Sequence, residues 1–177
     1  TYEIEDNLFK SSEWKLFELL EDNWIYSSLE YEDYEKQKEK NLLSYADTLS
    51  KDEFTNFIEA VALIYERTES QMRYSVIHGT ETIVQRVCDD PETAWRMFNA
   101  ILIGGTNIGI RPDIVLRPLF SERSSQEIWE ALDERDFILK NDWQLGFFQV
   151  LPEEQVNSYT YELLIDFLKS ESDKNIQ

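Results

Sequence analysis

One cysteine and one histidine occur in 177 residues, with two methionines, four prolines and five glycines. A lone cysteine cannot close an internal disulfide, which points to a reducing, cytoplasmic setting. One histidine and one cysteine fall short of a zinc ligand set, so no metal centre is expected. No cofactor is expected either. Cys88 lies in Val87-Cys88-Asp89-Asp90, where neighbouring carboxylates raise a thiol pKa, and it reads as a buried structural residue rather than a nucleophile. His78 has no Ser, Cys or metal-ligand constellation at recognisable spacing. It reads as a partly buried, hydrogen-bonded side chain.

Basic charge is also scarce. Thirty-six Asp and Glu face seventeen Lys and Arg, for a formal net charge of −19. A surface this acidic repels phosphate backbones and anionic lipid, so direct binding to nucleic acid or membrane is not expected. No apolar run reaches membrane-spanning length, and the first residues lack the basic-then-apolar pattern of a leader. G-x-S-x-G, C-x-x-C and EF-hand patterns are missing, and Pro112-Asp113 is not followed by the E-x-K on a strand that a metal-nuclease site requires. Adjacent carboxylate pairs such as Glu21/Asp22 and Glu153/Glu154 are too common to be informative, since sequence neighbours point apart on a helix.

What the chain does have is aromatic surface, 14% of residues, arranged at helical rather than strand spacing. Trp14, Phe17, Leu20 and Trp24 recur at three- and four-residue steps and predict a helix over about 12–23. The stretch EYEDYEKQKEK at 30–40 predicts a solvated helix laced with local ion pairs, or else a charged linker. Ser50 and Glu53 form a capping box ahead of Phe54, Phe57, Ile58, Val61 and Tyr65. A further helix over about 70–87 directs Met72, Val76, Ile83 and Val87 inward. Gly79 in its middle predicts a kink or a close helix crossing, because glycine there costs about 1 kcal/mol against alanine.

Asp90 and Pro91 open another helix, with Trp95, Phe98, Ile101 and Leu102 on its apolar face and Gly104 to end it. Ser124 and Glu127 make a second capping box before Ile128, Trp129 and Leu132. A shorter helix carries Trp143, Phe147 and Phe148. Pro152 is expected to open the last one, with Val156, Tyr159, Leu163, Leu164, Phe167 and Leu168. The runs 100–103 and 113–116 are the sole strand-like ones, and both lie beside helix signals. The fold expected is all-α, an irregular bundle or short helical-repeat (HEAT- or TPR-like) array of about seven to nine helices. It forms one domain over 1–177, with sub-halves 1–103 and 112–170 joined by a Gly/Pro-rich connector at 104–112.

Three function classes follow. The connector spells G-x-x-x-x-G from Gly104 to Gly109, the frame of a phosphate-binding loop, but Ile110 and Arg111 stand where Lys and Ser/Thr are required. A nucleotide-binding domain built on 104–111 is therefore the weakest class. The alternative assignment for that loop is a helix end followed by a turn in which Gly109 supplies positive φ. Residues 1–35 hold eleven acids and eight aromatics against two lysines. They favour a non-enzymatic acidic interaction module, part of a larger intracellular assembly, that meets a basic protein partner through Trp24, Tyr26, Tyr31, Tyr34, Glu30, Glu32 and Asp33. Core packing is the competing assignment for those aromatics. Arg111, Arg117 and Arg123 recur every six residues and supply either one cationic patch or a set of carboxylate pairs. An acidic inhibitor or immunity-type protein, or a DNA mimic that blocks a basic nuclease or toxin site, is the remaining class.

Overall fold

A computed structural model describes residues 11–22, 27–104 and 108–174 of the chain, and among these residues there are nine α-helices and no strand. In chain order they are α1 Ser11–Leu20, α2 Tyr31–Thr48, α3 Phe54–Arg67, α4 Arg73–Val87, α5 Pro91–Gly104, α6 Pro112–Leu119, α7 Ser125–Asp133, α8 Lys140–Val150 and α9 Ser158–Lys174. The all-α expectation holds at the upper end of the expected helix number. Both strand-like runs are helical. None of these helices is long and apolar enough to cross a membrane.

Alternate helices pack side by side. One row runs α2–α4–α6–α8, while α3 lies on α5 and α7 on α9 in the other. The helix α1 lies against α2, α3 and α4. Two contacts fix the direction in the first row: Lys38 Nζ donates to Ser75 Oγ at 2.9 Å, and Arg86 Nε donates to Asp47 Oδ1 at 2.9 Å. Positions advance together on both helices, so α2 and α4 run parallel. Lys51 meets Asp90 at 3.5 Å and Arg96 meets Asp52 at 3.6 Å, which places the starts of α3 and α5 side by side in the same way.

The core is one cluster of buried apolar side chains from Leu16 to Phe147, drawn from both sides of the 104–112 connector. Each fully buried Leu, Ile or Phe contributes about 1.5–3 kcal/mol, whereas exposed ion pairs contribute tenths. Packing therefore holds this fold. Its second half is aromatic: Phe147 meets Phe120 at 5.5 Å and Trp129 at 5.2 Å between ring centroids, and Phe148 carries the contact out to Phe167 of α9 at 5.7 Å.

Helix starts follow the capping chemistry. Glu53 accepts from both the amide and hydroxyl of Ser50, at 3.0 and 2.6 Å, and the box opens a 3₁₀ turn, Lys51–Glu53, that leads into α3. Ser124 and Glu127 bond reciprocally at α7. Asp90 accepts from the amide and hydroxyl of Thr93 at α5.

Several expectations are corrected. The last helix does not begin at Pro152. A 3₁₀ turn, Glu153–Gln155, comes first, and the Gln155 side-chain Nε2 donates to the carbonyls of Phe120 and Arg123, both at 3.0 Å, which fixes the chain's path. Asn157 then caps α9, accepting from the amide of Thr160. Val156 and Leu168 are consequently exposed. The fourth helix starts at Arg73 rather than 70, after a turn closed by Met72 donating to the Glu69 carbonyl, and Met72 and Val87 are half-buried. In α1, Leu16 and Leu20 hold the buried centre; Trp14 and Phe17 flank it, 5.5 Å apart, and Trp24 is outside the described residues. EYEDYEKQKEK is helical, not a linker.

The connector's far side holds a helix, α6, which the sequence pattern missed. Ile114, Val115, Leu116 and Leu119 are buried, and Asp113 and Arg117 lie one turn apart on the solvent side. The helix has eight residues with prolines at 112 and 118, too few for a repeating period to stand out and with a residue that disfavours helix near its end. Gly109 does not have positive φ. Ile110 donates to the Ile108 carbonyl at 2.8 Å, which closes an inverse γ-turn that any residue's φ allows. Buried Ile108 and Ile110 anchor that turn.

Gly79 marks a close crossing, as expected. A Cβ there would lie 2.8 Å from Leu20 Cδ2 and 3.5 Å from both Leu20 Cα and Leu42 Cδ2. Gly146 is tighter, because its added Cβ would meet Pro112 Cβ at 2.6 Å and Cγ at 2.9 Å. A leucine methyl can swing aside, but a proline ring at a helix start cannot. Gly146→Ala is therefore expected to destabilise by roughly 1–3 kcal/mol through overpacking. In Gly79→Ala the clash is offset by about 1 kcal/mol of helix propensity. Urea unfolding of both variants checks the order, and equal midpoints would refute it.

The capping acids predict the acid limb. Hydrogen bonds from Ser50, Thr93 and Ser124 hold Glu53, Asp90 and Glu127 below their ordinary values of 4.5, 3.8 and 4.5. A lowered folded pKa contributes stability that is complete above the ordinary value and is lost as pH falls through the folded one. Thermal melts of the Glu53→Gln/Asp90→Asn/Glu127→Gln protein are expected to fall less steeply than wild type below about pH 4.5, the unperturbed range.

Candidate functional site

The parallel pair α2 and α4 leaves an open groove of about 760 Å³ between them. Gly79 lets the helices come together at Leu42, whose Cδ2 would lie 3.5 Å from an added Cβ, and the groove's lining runs from Tyr31 to Asp89. Leu42 and Leu43 give it an apolar floor, and Thr82 and Gln85 form part of the α4 wall. Along the α2 wall, Glu32, Glu35 and Glu39 recur at helical steps, and Tyr31 closes one end.

The groove's cations are already engaged. Arg86 is held by Asp47 at 2.9 Å and Asp89 at 3.5 Å, and Asp47 raises its pKa. Lys36 pairs with Asp33 at 3.8 Å. Lys38 is half-buried, and burial lowers its pKa against the raising fields of Asp22, Glu35 and Glu21. Its ammonium donates to Ser75 Oγ, which in turn donates to the Leu20 carbonyl at 2.8 Å. That relay ties α2, α4 and the end of α1 together. Glu32, Glu35 and Glu39 enter none of the ion pairs of the described residues.

His78 is exposed at the groove, where a partly buried side chain was expected. The inner face of α4 is Val76, Gly79, Thr80, Ile83 and Val84, so position 78 turns outward. Its ring stacks on exposed Tyr74 one turn earlier, 6.2 Å apart and within 8° of parallel.

The acidic-aromatic face expected of residues 1–35 is divided, and residues 1–10 and 23–26 lie outside the described residues. Tyr31 and Glu32 border the groove. Tyr34 is half-buried and borders a smaller notch between α1 and α2, with Glu18, Glu21 and Asn41. Glu30 is exposed at the start of α2, and Asp33 is exposed and paired with Lys36. Trp24 and Tyr26 lie outside the described residues. Glu35, Glu39, Leu43 and Tyr74 were not singled out from sequence. The i, i+3, i+7 spacing of the three glutamates was readable, but it is submerged in a run where almost every residue is charged.

The three arginines form pairs rather than one patch. Arg111 meets Glu81 at 3.6 Å and Asp113 at 3.9 Å, and Arg117 shares Asp113 at 3.9 Å. Arg123 belongs to a different set, 4.6 Å over the Trp95 ring and bound to Glu92 and Glu127 at 3.4 and 3.6 Å. Residues 105–107 of the phosphate-loop frame lie outside the described residues. At its far end the Arg111 amide already donates to Glu81 Oε1 at 3.0 Å. A carboxylate thus holds the donor that the frame would offer to phosphate. The segment before the loop, α5, is a helix where a strand is required.

Among the described residues no three His, Cys, Asp or Glu side chains are grouped to hold a metal ion. Cys88 is buried, and burial, with Asp89 adding, pushes its thiol up to about 12. Thiolate is the reactive form, so iodoacetamide at pH 8 should leave folded protein unmodified and label it fully in denaturant. Rapid labelling of the native protein would contradict this burial.

No family model matches the chain, and no curated protein or solved structure matches it significantly.

Proposed function

We propose that this chain is a non-enzymatic interaction module that binds a basic, amphipathic protein segment in the groove between α2 and α4. One observation carries the reading: a row of three carboxylates without ion pairs beside an apolar floor, in a protein whose nearby cations are engaged. The floor at Leu42 and Leu43 receives apolar side chains, and Glu32, Glu35 and Glu39 receive Lys or Arg from the segment's flank. Tyr31, half exposed at the groove's end, adds aromatic contact area. The chain's net charge of −19 speeds encounter with such a partner.

The test is fluorescence anisotropy with a labelled helical peptide of leucines and lysines. Exposed pairs contribute about 0.2–1 kcal/mol each, so Glu32→Gln/Glu35→Gln/Glu39→Gln is expected to weaken binding about tenfold. Affinity should also fall with added salt. The control, Glu122→Gln/Glu153→Gln/Glu154→Gln, removes equal charge from exposed positions elsewhere and should change affinity little. Equal losses in the two variants would reduce the effect to net charge and overturn the groove assignment. An inhibitor of one basic enzyme would instead bind that enzyme far more tightly than any such peptide.

A further inference from the structure

The last helix, α9, is held to the rest of the molecule along one side. Phe167 meets Phe148, Leu163 packs on the core, and Thr160 is buried at the first turn. The other side carries a second apolar stripe. Tyr161 is 60% exposed, Ile165 50% and Leu168 55%. At 100° per residue these three fall within an arc of about 60°, so they form one continuous ridge.

The charges beside the ridge indicate what covers it. Glu162 and Lys169 are seven residues apart and occupy the same flank, and both are exposed. Their midpoint falls beside Ile165, which is also the middle of the ridge. A second α9 laid antiparallel across Ile165 therefore sets Glu162 of each copy opposite Lys169 of the other. Such self-complementarity about a two-fold axis is what an isologous contact requires. The existing partner of Lys169 is Asp166, at 3.3 Å in a fully solvated pair, and an exposed bridge of that kind is readily exchanged.

We infer that α9 is a homodimerisation surface, closed by antiparallel packing of Tyr161, Ile165 and Leu168 against the same ridge of a second copy. The helix has 17 residues and is about 25 Å long. One such face buries less than the roughly 1,200 Å² at the low end of specific interfaces. The dimer is accordingly weak, and two copies of charge −19 repel. Added salt screens that repulsion and leaves apolar burial intact, so the dimer strengthens with salt. This dependence is opposite in sign to that of peptide binding in the α2–α4 groove, and the two surfaces are separately testable.

Sedimentation equilibrium of the full chain over about 10–500 µM, spanning weak-interface affinities, should show a reversible monomer–dimer equilibrium that shifts toward dimer between low and high salt. Ile165→Glu should raise the dissociation constant at least tenfold, leaving circular dichroism and groove peptide binding unchanged. Glu162→Lys alone and Lys169→Glu alone should each weaken the dimer, and the double exchange should restore it. A chain that stays monomeric throughout overturns the inference, as does a dimer indifferent to Ile165→Glu. Failure of the double exchange to rescue removes the antiparallel arrangement.

Discussion

The close approach of every second helix is the constraint on which this structure depends. In the row α2–α4–α6–α8, helices separated by a whole intervening helix must come into direct contact. At two places this is achieved by having no side chain at all. Gly79 lets α4 settle against Leu20 and Leu42, and Gly146 lets α8 settle on the Pro112 ring at the start of α6. A glycine inside a helix is locally unfavourable by about 1 kcal/mol, so its place in each must come from tertiary packing. The rest follows from the spacing it sets. Lys38 reaches Ser75, Arg86 reaches Asp47, and the groove lies between the two helices that these contacts join.

This also changes the meaning of the glycine- and proline-rich middle of the chain. From composition, residues 104–112 look like a joint between two halves. Pro112 is instead a packing surface: it begins α6, and its ring fills the space that Gly146 leaves in α8. The helix it opens lies against α4, α5 and α8, so the connector delivers one of the most buried segments of the fold.

What could be read in the sequence was whatever has local, periodic chemistry. The Ser50–Glu53 and Ser124–Glu127 boxes, the Asp90–Pro91 start and the crossing at Gly79 are each signalled within a few residues, and each stands in the structure. Three kinds of feature were not legible. A helix of eight residues with prolines at 112 and 118, like α6, spans too few turns to show a period. A turn steered from a distance, as Gln155 is by the carbonyls of Phe120 and Arg123, shows nothing locally, so Pro152 was misread as a helix start. And a groove belongs to two helices at once. Glu32 and Tyr31 were visible as acidic and aromatic residues, but Thr82 and His78 join them only through the packing of α2 on α4.

Electrostatics then separates what is structural from what remains available. In an anion-rich chain a cation is scarce, and the structure uses its cations to join elements. Arg86 links α4 to α2, Arg96 links α5 to the turn before α3, and Arg123 links the start of α7 to α5 through Glu92 and the Trp95 ring. Of the three arginines near the connector, Arg111 pairs with Glu81 and Asp113, Arg117 with Asp113 of its own helix, and Arg123 with Glu92 and Glu127, so they form separate carboxylate pairs rather than one cationic patch. Carboxylates are in surplus, and the surplus is not spread evenly over the two candidate surfaces. On α2 it forms a row beside an apolar floor, an arrangement that attracts the opposite charge. On α9 Glu162 and Lys169 lie on one flank of an apolar ridge, on either side of its centre, an arrangement that answers itself. The same excess of acid thus favours a basic partner on one face and opposes a second copy on the other, where burial of Ile165 and its neighbours must outweigh the repulsion.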